Sequence, residues 1–334
     1  MKHQLAEFEL GDFALQCGAL LPDAKIVYKT FGSLNDRRDN AVVYPTWFNG
    51  QHTDNEWLIG EEMALDPSRY FIVVPNMFGN GLSTSPSNRP DLVIGSGYPL
   101  VTVYDNVVAQ HRLLTEKLGV SEIALATGWS MGAQQAYHWG ALYPDLVKRL
   151  MPFCGSARTA EHNRVFLDGV KAVLSLGMAV DERSERSLRA AGRVYAGWAF
   201  SQSFYRQNLW STLGFSSVEE FIAAFWDGFF VKKDRLDLLG MIDTWQNADI
   251  SNNEIYKGDL TFALRSIKAK TVVMPSRTDL YFTADDSRLE VPHLTDGRLK
   301  EIDSVWGHAA GVGLNRDDSL FINVALRDLL ACEV

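Results

Sequence analysis

The segment from Ile123 to Leu142 constrains this chain more than any other. Residues 123–127 (I-A-L-A-T) form an apolar run of strand length, and Ala133 to Leu142 has helical periodicity up to a stop at Tyr143-Pro144. Only Gly128-Trp129-Ser130-Met131-Gly132 lies between them. A chain that passes from buried strand to helix across so short a stretch must turn sharply, which forces the central residue into a strained conformation at the C-terminal edge of a sheet. Glycines belong on both sides because a Cβ there would collide across the turn. G-x-S-x-G alone is a common pattern. The strand before it and the helix after it make Ser130 a candidate nucleophile, with a helix N-terminus that favours developing negative charge.

The remaining chain repeats this alternation. Residues 41–47 (A-V-V-Y-P-T-W), 71–75 (F-I-V-V-P) and 271–275 (T-V-V-M-P) read as buried strands, with 149–154 and 298–302 as weaker ones. Val103 to Leu118 predicts a helix capped at Gly119, and Asp317 to Leu330 a last helix. Residues 13–32 predict two strands joined by a turn at Pro22-Asp23. The fold class expected is α/β, a mostly parallel central sheet covered by helices. Residues 156–260 hold no convincing strand, are helical in period and are crowded with aromatics, among them Trp198, Phe200, Phe225, Trp226, Phe229 and Phe230. This predicts a core made of 1–155 and 261–334 and an inserted helical lid at 156–260. The aromatic excess also fits a face for a second copy, so a homodimer through the lid is expected.

Charge and cysteine content exclude several classes. Lys and Arg number 32 against 41 Asp and Glu, a net charge of −9, so no general affinity for nucleic acid or anionic membrane is expected. Cys17, Cys154 and Cys332 are too scattered for a disulfide framework or a zinc site, and no His/Cys/Asp cluster has metal-ligand spacing. No metal or cofactor is expected. The first residues, M-K-H-Q-L-A-E-F-E-L, carry acids where a signal peptide is apolar, and no apolar run approaches the roughly 20 residues that span a bilayer. A cytoplasmic protein is expected. Phe78-Gly79-Asn80-Gly81 follows a strand but leads into L-S-T-S-P-S rather than a helix, so it is no phosphate-binding loop.

A nucleophilic serine needs a base, and the base needs a carboxylate to orient it. On a sheet of this kind they follow the serine in the order acid, then histidine, beyond the last strands. Of seven histidines, His308 follows the 298–302 strand by a short loop and precedes the last helix; His111 and His138 lie within helices and His293 at the wrong strand edge. Asp279 stands just past the 271–275 strand, whereas Asp285 and Asp286 read as caps of the next helix and Asp243 and Asp249 belong to the lid. Two backbone N–H groups should hold an oxyanion: that of Met131, next to the nucleophile, and that of Phe48, in the flexible loop T-W-F-N-G after the 41–47 strand.

These residues sit in a wider pattern. K-I-V-Y-K-T-F-G-S-L-N (25–35), R-D-N-A-V-V-Y (38–44), F-G-N-G-L-S-T-S-P-S (78–87), G-W-S-M-G (128–132) with S-A-R-T (156–159), S-R-T-D-L-Y-F (276–282) and W-G-H (306–308) together resemble the homoserine O-acetyltransferase family of α/β-hydrolase-fold proteins. The resemblance runs over nearly the whole length. It implies an acyl-enzyme on Ser130, a triad of Ser130, Asp279 and His308, a helical lid and a dimer through it. The chain departs from the family around the serine, where Trp129 precedes it and Ala133-Gln134 follows Gly132, and after the histidine, where Ala309 replaces an aspartate that helps hold the homoserine amino group. Trp129, Arg193 and Arg206 are the candidates for substrate contact, the arginines because a lid arginine usually holds the amino-acid carboxylate. Loss of a carboxylate that pairs with a buried ammonium costs several kcal/mol of specific binding. The chain therefore reads as a divergent, esterase-like member, a serine-dependent hydrolase of a small or medium apolar ester. The alternative is an acyl-CoA-dependent O-acetyltransferase.

Overall fold

The computed structural model describes residues 3–93, 97–176 and 185–333. Eight strands form one sheet: β1 (His3–Ala14), β2 (Leu20–Phe31), β3 (Ala41–Val43), β4 (Phe71–Pro75), β5 (Ile123–Trp129), β6 (Arg149–Phe153), β7 (Lys270–Val273) and β8 (Gly297–Leu299). Their order is β1-β2-β4-β3-β5-β6-β7-β8. The first three strands in this order pair antiparallel and the rest pair parallel, so the sheet is mostly parallel as expected. Side chains alternate along each strand between two cores. Val42, Val74 and Val272 face one layer, while Val43, Val73 and Val273 face the other.

One layer is made by α1 (Val103–Arg112) and α2 (Met131–Leu142), which connect β4 to β5 and β5 to β6. Thr102 caps α1: its hydroxyl accepts from the Asp105 N–H, and the Asp105 carboxylate accepts from the Thr102 N–H. After α1 the chain continues through a π-helical turn, Leu113–Lys117, before Gly119 ends it with φ of 69°. Between β6 and β7 lie α3 (Glu161–Ser175), α4 (Glu185–Ala199), α5 (Gln202–Arg206), α6 (Val218–Glu220), α7 (Gly228–Phe230), α8 (Arg235–Gln246) and α9 (Leu260–Arg265), with π-helical turns over Phe221–Asp227. Residues 177–184 of the stretch 156–260 lie outside the described residues. After β7 come α10 (Ala284–Glu290), then β8 and α11 (Arg316–Ala331), which packs on the same layer as α3 and α4. Among the described residues no helix is long and apolar enough to cross a membrane.

The first hairpin corrects the expectation for residues 13–32. The turn is at 15–19, closed by Leu15 N–H to Ala19 O at 2.8 Å and Gly18 N–H to Leu15 O at 2.9 Å, with Gly18 at φ of 86°. Pro22 and Asp23 lie inside β2, and Asp23 takes a φ of 49° at a register shift. Proline is tolerated beside a bulge, and aspartate adopts the left-handed region more readily than most residues. The Pro-Asp pair therefore marks a bulge here rather than a turn.

Candidate active site

β5 is buried along its whole length and ends at the predicted turn. Ser130 adopts φ of 57° and ψ of −128°, the strained backbone that a strand-to-helix turn of this length demands. Neighbouring glycines make it possible. A Cβ on Gly128 would stand 2.3 Å from the carbonyl carbon of Gly132, and one on Gly132 would stand 2.7 Å from the carbonyl oxygen of Pro45. Sequence reasoning missed a third close approach, at Gly155, where a Cβ would lie 2.3 Å from that of Ala133 and 2.9 Å from the Ser130 carbonyl oxygen.

Asp279 lies on the loop after β7 and is buried. Its Oδ1 accepts from the main-chain N–H groups of Tyr281 at 2.8 Å and Phe282 at 3.1 Å. Its Oδ2 is 2.7 Å from His308 Nδ1. A carboxylate flanked by such donors accepts only, so the imidazole carries its proton on Nδ1, leaving Nε2 as an acceptor. Nε2 is 2.9 Å from Ser130 Oγ. The loop that carries His308 is tied down in turn: Gly307 N–H donates to Thr278 Oγ1 at 3.0 Å, and that hydroxyl donates to Ser304 O at 2.9 Å. Trp129 stacks on the imidazole with ring centroids 4.5 Å apart, and its Nε1–H donates to His308 O at 3.1 Å. Tyr281 meets the same ring edge-on at 4.7 Å.

The structure thus brings together Ser130, Asp279 and His308, three residues far apart in sequence. Other candidates are placed elsewhere. His138 contacts Gln134 O from within α2, and burial lowers its pKa to about 4. His111 stacks on Tyr143, and His52 meets Asn76. Cys154 is buried beside β6, and burial pushes its thiol pKa well up, so it does not compete as a nucleophile.

Ser130 and His308 open onto a cavity of about 290 Å³. Trp47, Phe48, Trp129, Tyr195, Phe200, Phe225, Trp226, Phe229 and Phe230 supply rings to its lining, and Ala309, Val312 and Leu314 complete the wall beside His308. Asp54 brings a carboxylate to the lining; it is exposed and accepts from Gln51 N–H at 2.8 Å. Of the three predicted substrate contacts only Trp129 lines this cavity. Arg193 makes a two-pronged ion pair with the buried Asp227, at 2.9 and 3.2 Å, and Arg206 is exposed. Both arginines fail to reach the cavity because α4 and α5 turn their apolar faces inward. Tyr195 went unnoticed in the sequence, although it meets Phe166, Trp226, Phe230 and Tyr281 and so joins α3, α7 and the loop of Asp279. Its signal was the helical period of 185–199, which puts it on the buried stripe.

A family model described as alpha/beta hydrolase fold matches residues 49–310. The chain is 36% identical over 334 residues to an ethyl acetate hydrolase of Pseudomonas veronii, covering 96% of this chain and 94% of that protein. A solved acetylester hydrolase from Corynebacterium glutamicum superposes with a TM-score of 0.94 at 34% identity, covering 98% of this chain and 96% of that one. A homoserine O-acetyltransferase of Trichormus variabilis matches at 25% identity over 323 residues, 89% of this chain and 87% of that protein.

Proposed function

The chain belongs to the alpha/beta hydrolase fold family, and from that premise we propose that it is a serine-dependent acyl ester hydrolase working through an acyl-enzyme on Ser130. The observation that carries the reading is the hydrogen-bonded run Ser130–His308–Asp279 at the edge of an apolar cavity. His308 Nε2 takes the Ser130 proton as Oγ attacks the ester carbonyl, and Asp279 holds the imidazolium that results. The N–H groups of Met131 and Phe48 receive the oxyanion, a contribution of about 10²–10³ in rate for each donor. Met131 is the first residue of α2, where the N–H has no intrahelical acceptor, and Phe48 lies in the turn that Gly50 N–H closes on Trp47 O. Collapse of the tetrahedral intermediate breaks the ester C–O bond, and the leaving alcohol takes its proton from His308. Water then attacks the acyl-Ser130 ester with His308 again as base.

The cavity selects the substrate class. Its volume is at the small end of the roughly 300–1,000 Å³ that ligand pockets span, and apart from Ser130, His308 and the exposed Asp54 its walls are rings and methyl groups. Ala309 is buried beside His308 where an acceptor ammonium would need a carboxylate. A short apolar ester fits these walls; a zwitterionic amino acid would meet no lysine or arginine for its carboxylate among the described lining residues, and a single exposed carboxylate, Asp54, for its ammonium. The names of the ethyl acetate and acetylester hydrolases support the same class. The helical stretch 156–260 acts in this reading as the lid over the site. Exposed Val165, Leu176 and Phe229 support it as a face for a second copy, which light scattering measures directly.

Mass spectrometry after mixing with p-nitrophenyl acetate, and separately with acetyl-CoA and homoserine, tests the assignment. The expected result is an acetyl adduct on Ser130 from the activated ester that decays in water alone. An adduct that persists until homoserine is added would replace hydrolysis by acyl transfer.

A further inference from the structure

The Phe48 N–H sits in a turn that carries an unusual number of outside supports. Trp47 to Gly50 forms a tight turn closed by Gly50 N–H to Trp47 O at 3.0 Å. Asn49 within it has φ of 65°, an uncommon conformation for a residue with a side chain. Gly50 fits only because it has none: a Cβ would lie 2.7 Å from the Trp47 ring. Carbonyls before the turn are held by side-chain amides, Asn55 Nδ2 to Tyr44 O at 3.0 Å and Gln135 Nε2 to Thr46 O at 2.8 Å. After it, Asn80 Nδ2 holds Gly50 O at 3.1 Å. These three donors come from the core.

The support on Asn49 has a different origin. Lys233, between α7 and α8 of the helical stretch, donates from Nζ to Asn49 O at 2.9 Å. The same ammonium lies 4.9 Å from the ring centroid of Phe229, which lines the cavity. An ammonium at a carbonyl is a charge-assisted bond, stronger than the neutral amide contacts around it. It also acts on the Asn49–Gly50 peptide, the same peptide whose N–H closes the turn on Trp47 O, so a flip of that peptide would open the turn that presents Phe48.

We propose that Lys233 is a positioning residue that fixes the Phe48 turn in its oxyanion-accepting conformation and couples it to the cavity wall through Phe229. It rests on the assignment of the Phe48 N–H as an oxyanion donor. Lys233 touches no reacting atom. Its removal loosens the donor on which the transition state depends while leaving the aromatic walls that bind the ester.

The test compares wild type, Lys233→Met and Lys233→Arg on a short-chain p-nitrophenyl ester, with a trifluoromethyl ketone as mimic of the oxyanion. Lys233→Met should lose at least about tenfold in kcat with KM within about threefold, and its affinity for the ketone should fall in parallel. Lys233→Arg keeps a charged donor and should stay within about threefold of wild type in both. A loss confined to KM, unchanged ketone affinity, or an arginine variant as impaired as the methionine one would overturn the proposal. Should Lys233→Met not accumulate as folded protein, Lys233→Gln takes its place with the same kcat and ketone readouts and an expected loss of at least about threefold. Ester hydrolysis by wild type that vanishes in Ser130→Ala keeps the underlying reading intact even if these variants behave as wild type.

Discussion

Around Ser130 the protein relies on glycines and hydrogen bonds, whereas the wall between Tyr195 and Phe230 relies on rings. On the first side nearly every side chain has a fixed partner: Asp279 holds three donors, Trp129 clamps the loop of His308, and glycines admit contacts that no Cβ could. On the second side Phe200, Phe225, Trp226 and Phe230 touch one another, and Trp226 Nε1 is buried without a hydrogen-bond partner among the described residues. Hydrogen bonds fix angles to within tens of degrees, while ring contacts have broader orientational preferences and tolerate more rearrangement. On the function proposed above, the contrast is a division of labour in which one side holds the chemistry and the other sets which ester fits.

Three measurements strain this contrast, taken from the largest effect down. Ser130→Ala should remove at least about 10³ of turnover while the melting temperature stays within a few degrees, because triad members act as a unit and the alanine inherits the same backbone. Activity within tenfold of wild type would place the chemistry elsewhere. Phe225→Ala, in the ring wall and only half buried, should move selectivity instead of rate. We expect kcat/KM for a hexanoate ester to rise about tenfold relative to acetate, since a methylene or two of pocket space is worth that much. An unchanged chain-length profile would mean that the wall does not select.

The smallest effect concerns stability and pH. Glu290 at the end of α10 is buried and accepts from Ala157 N–H at 2.9 Å, and burial raises its pKa from 4.5 to about 8. The folded chain therefore holds the carboxyl protonated where the unfolded chain ionises it. Stability from this group is fully present below pH 4.5, and is lost as pH rises through about 8. Glu290→Gln should accordingly lose less stability than wild type between pH 5 and pH 9 in urea unfolding. Parallel curves for the two proteins would show that the burial of Glu290 carries no such linkage.

The two sides also differed in how far the sequence disclosed them. Ser130, Asp279 and His308 each follow a strand by a short loop, and strands announce themselves through dense β-branched runs, so a rule about order and edges picks these residues out. The ring wall follows no such rule. Aromatic residues are frequent throughout 185–230, and which of them face the cavity depends on crossing angles and on π-helical turns at Phe221–Asp227 that shift the helical phase. Arg193 illustrates the loss: a candidate for substrate by its location, it is spent on Asp227, a partner 34 residues away that no local pattern indicates. The turn at 15–19 was hidden for a related reason, because Pro22-Asp23 advertises a turn more loudly than Cys17-Gly18 does.

The cavity of about 290 Å³ has a consequence for the order of events. At bulk density that space holds on the order of ten waters, yet a ring-lined wall offers them few hydrogen bonds, so they leave readily when an ester enters. The same poverty works against the second half-reaction, which needs one well-placed water beside His308. While the alcohol is in place it occupies the side of the acyl carbonyl, next to His308, from which that water must attack. In the proposed reaction, departure of the alcohol is therefore what admits the water, and the vacated space lies against His308, the base proposed to activate it. The leaving group keeps the door for its successor, and a slow-leaving alcohol would set the pace of the whole cycle.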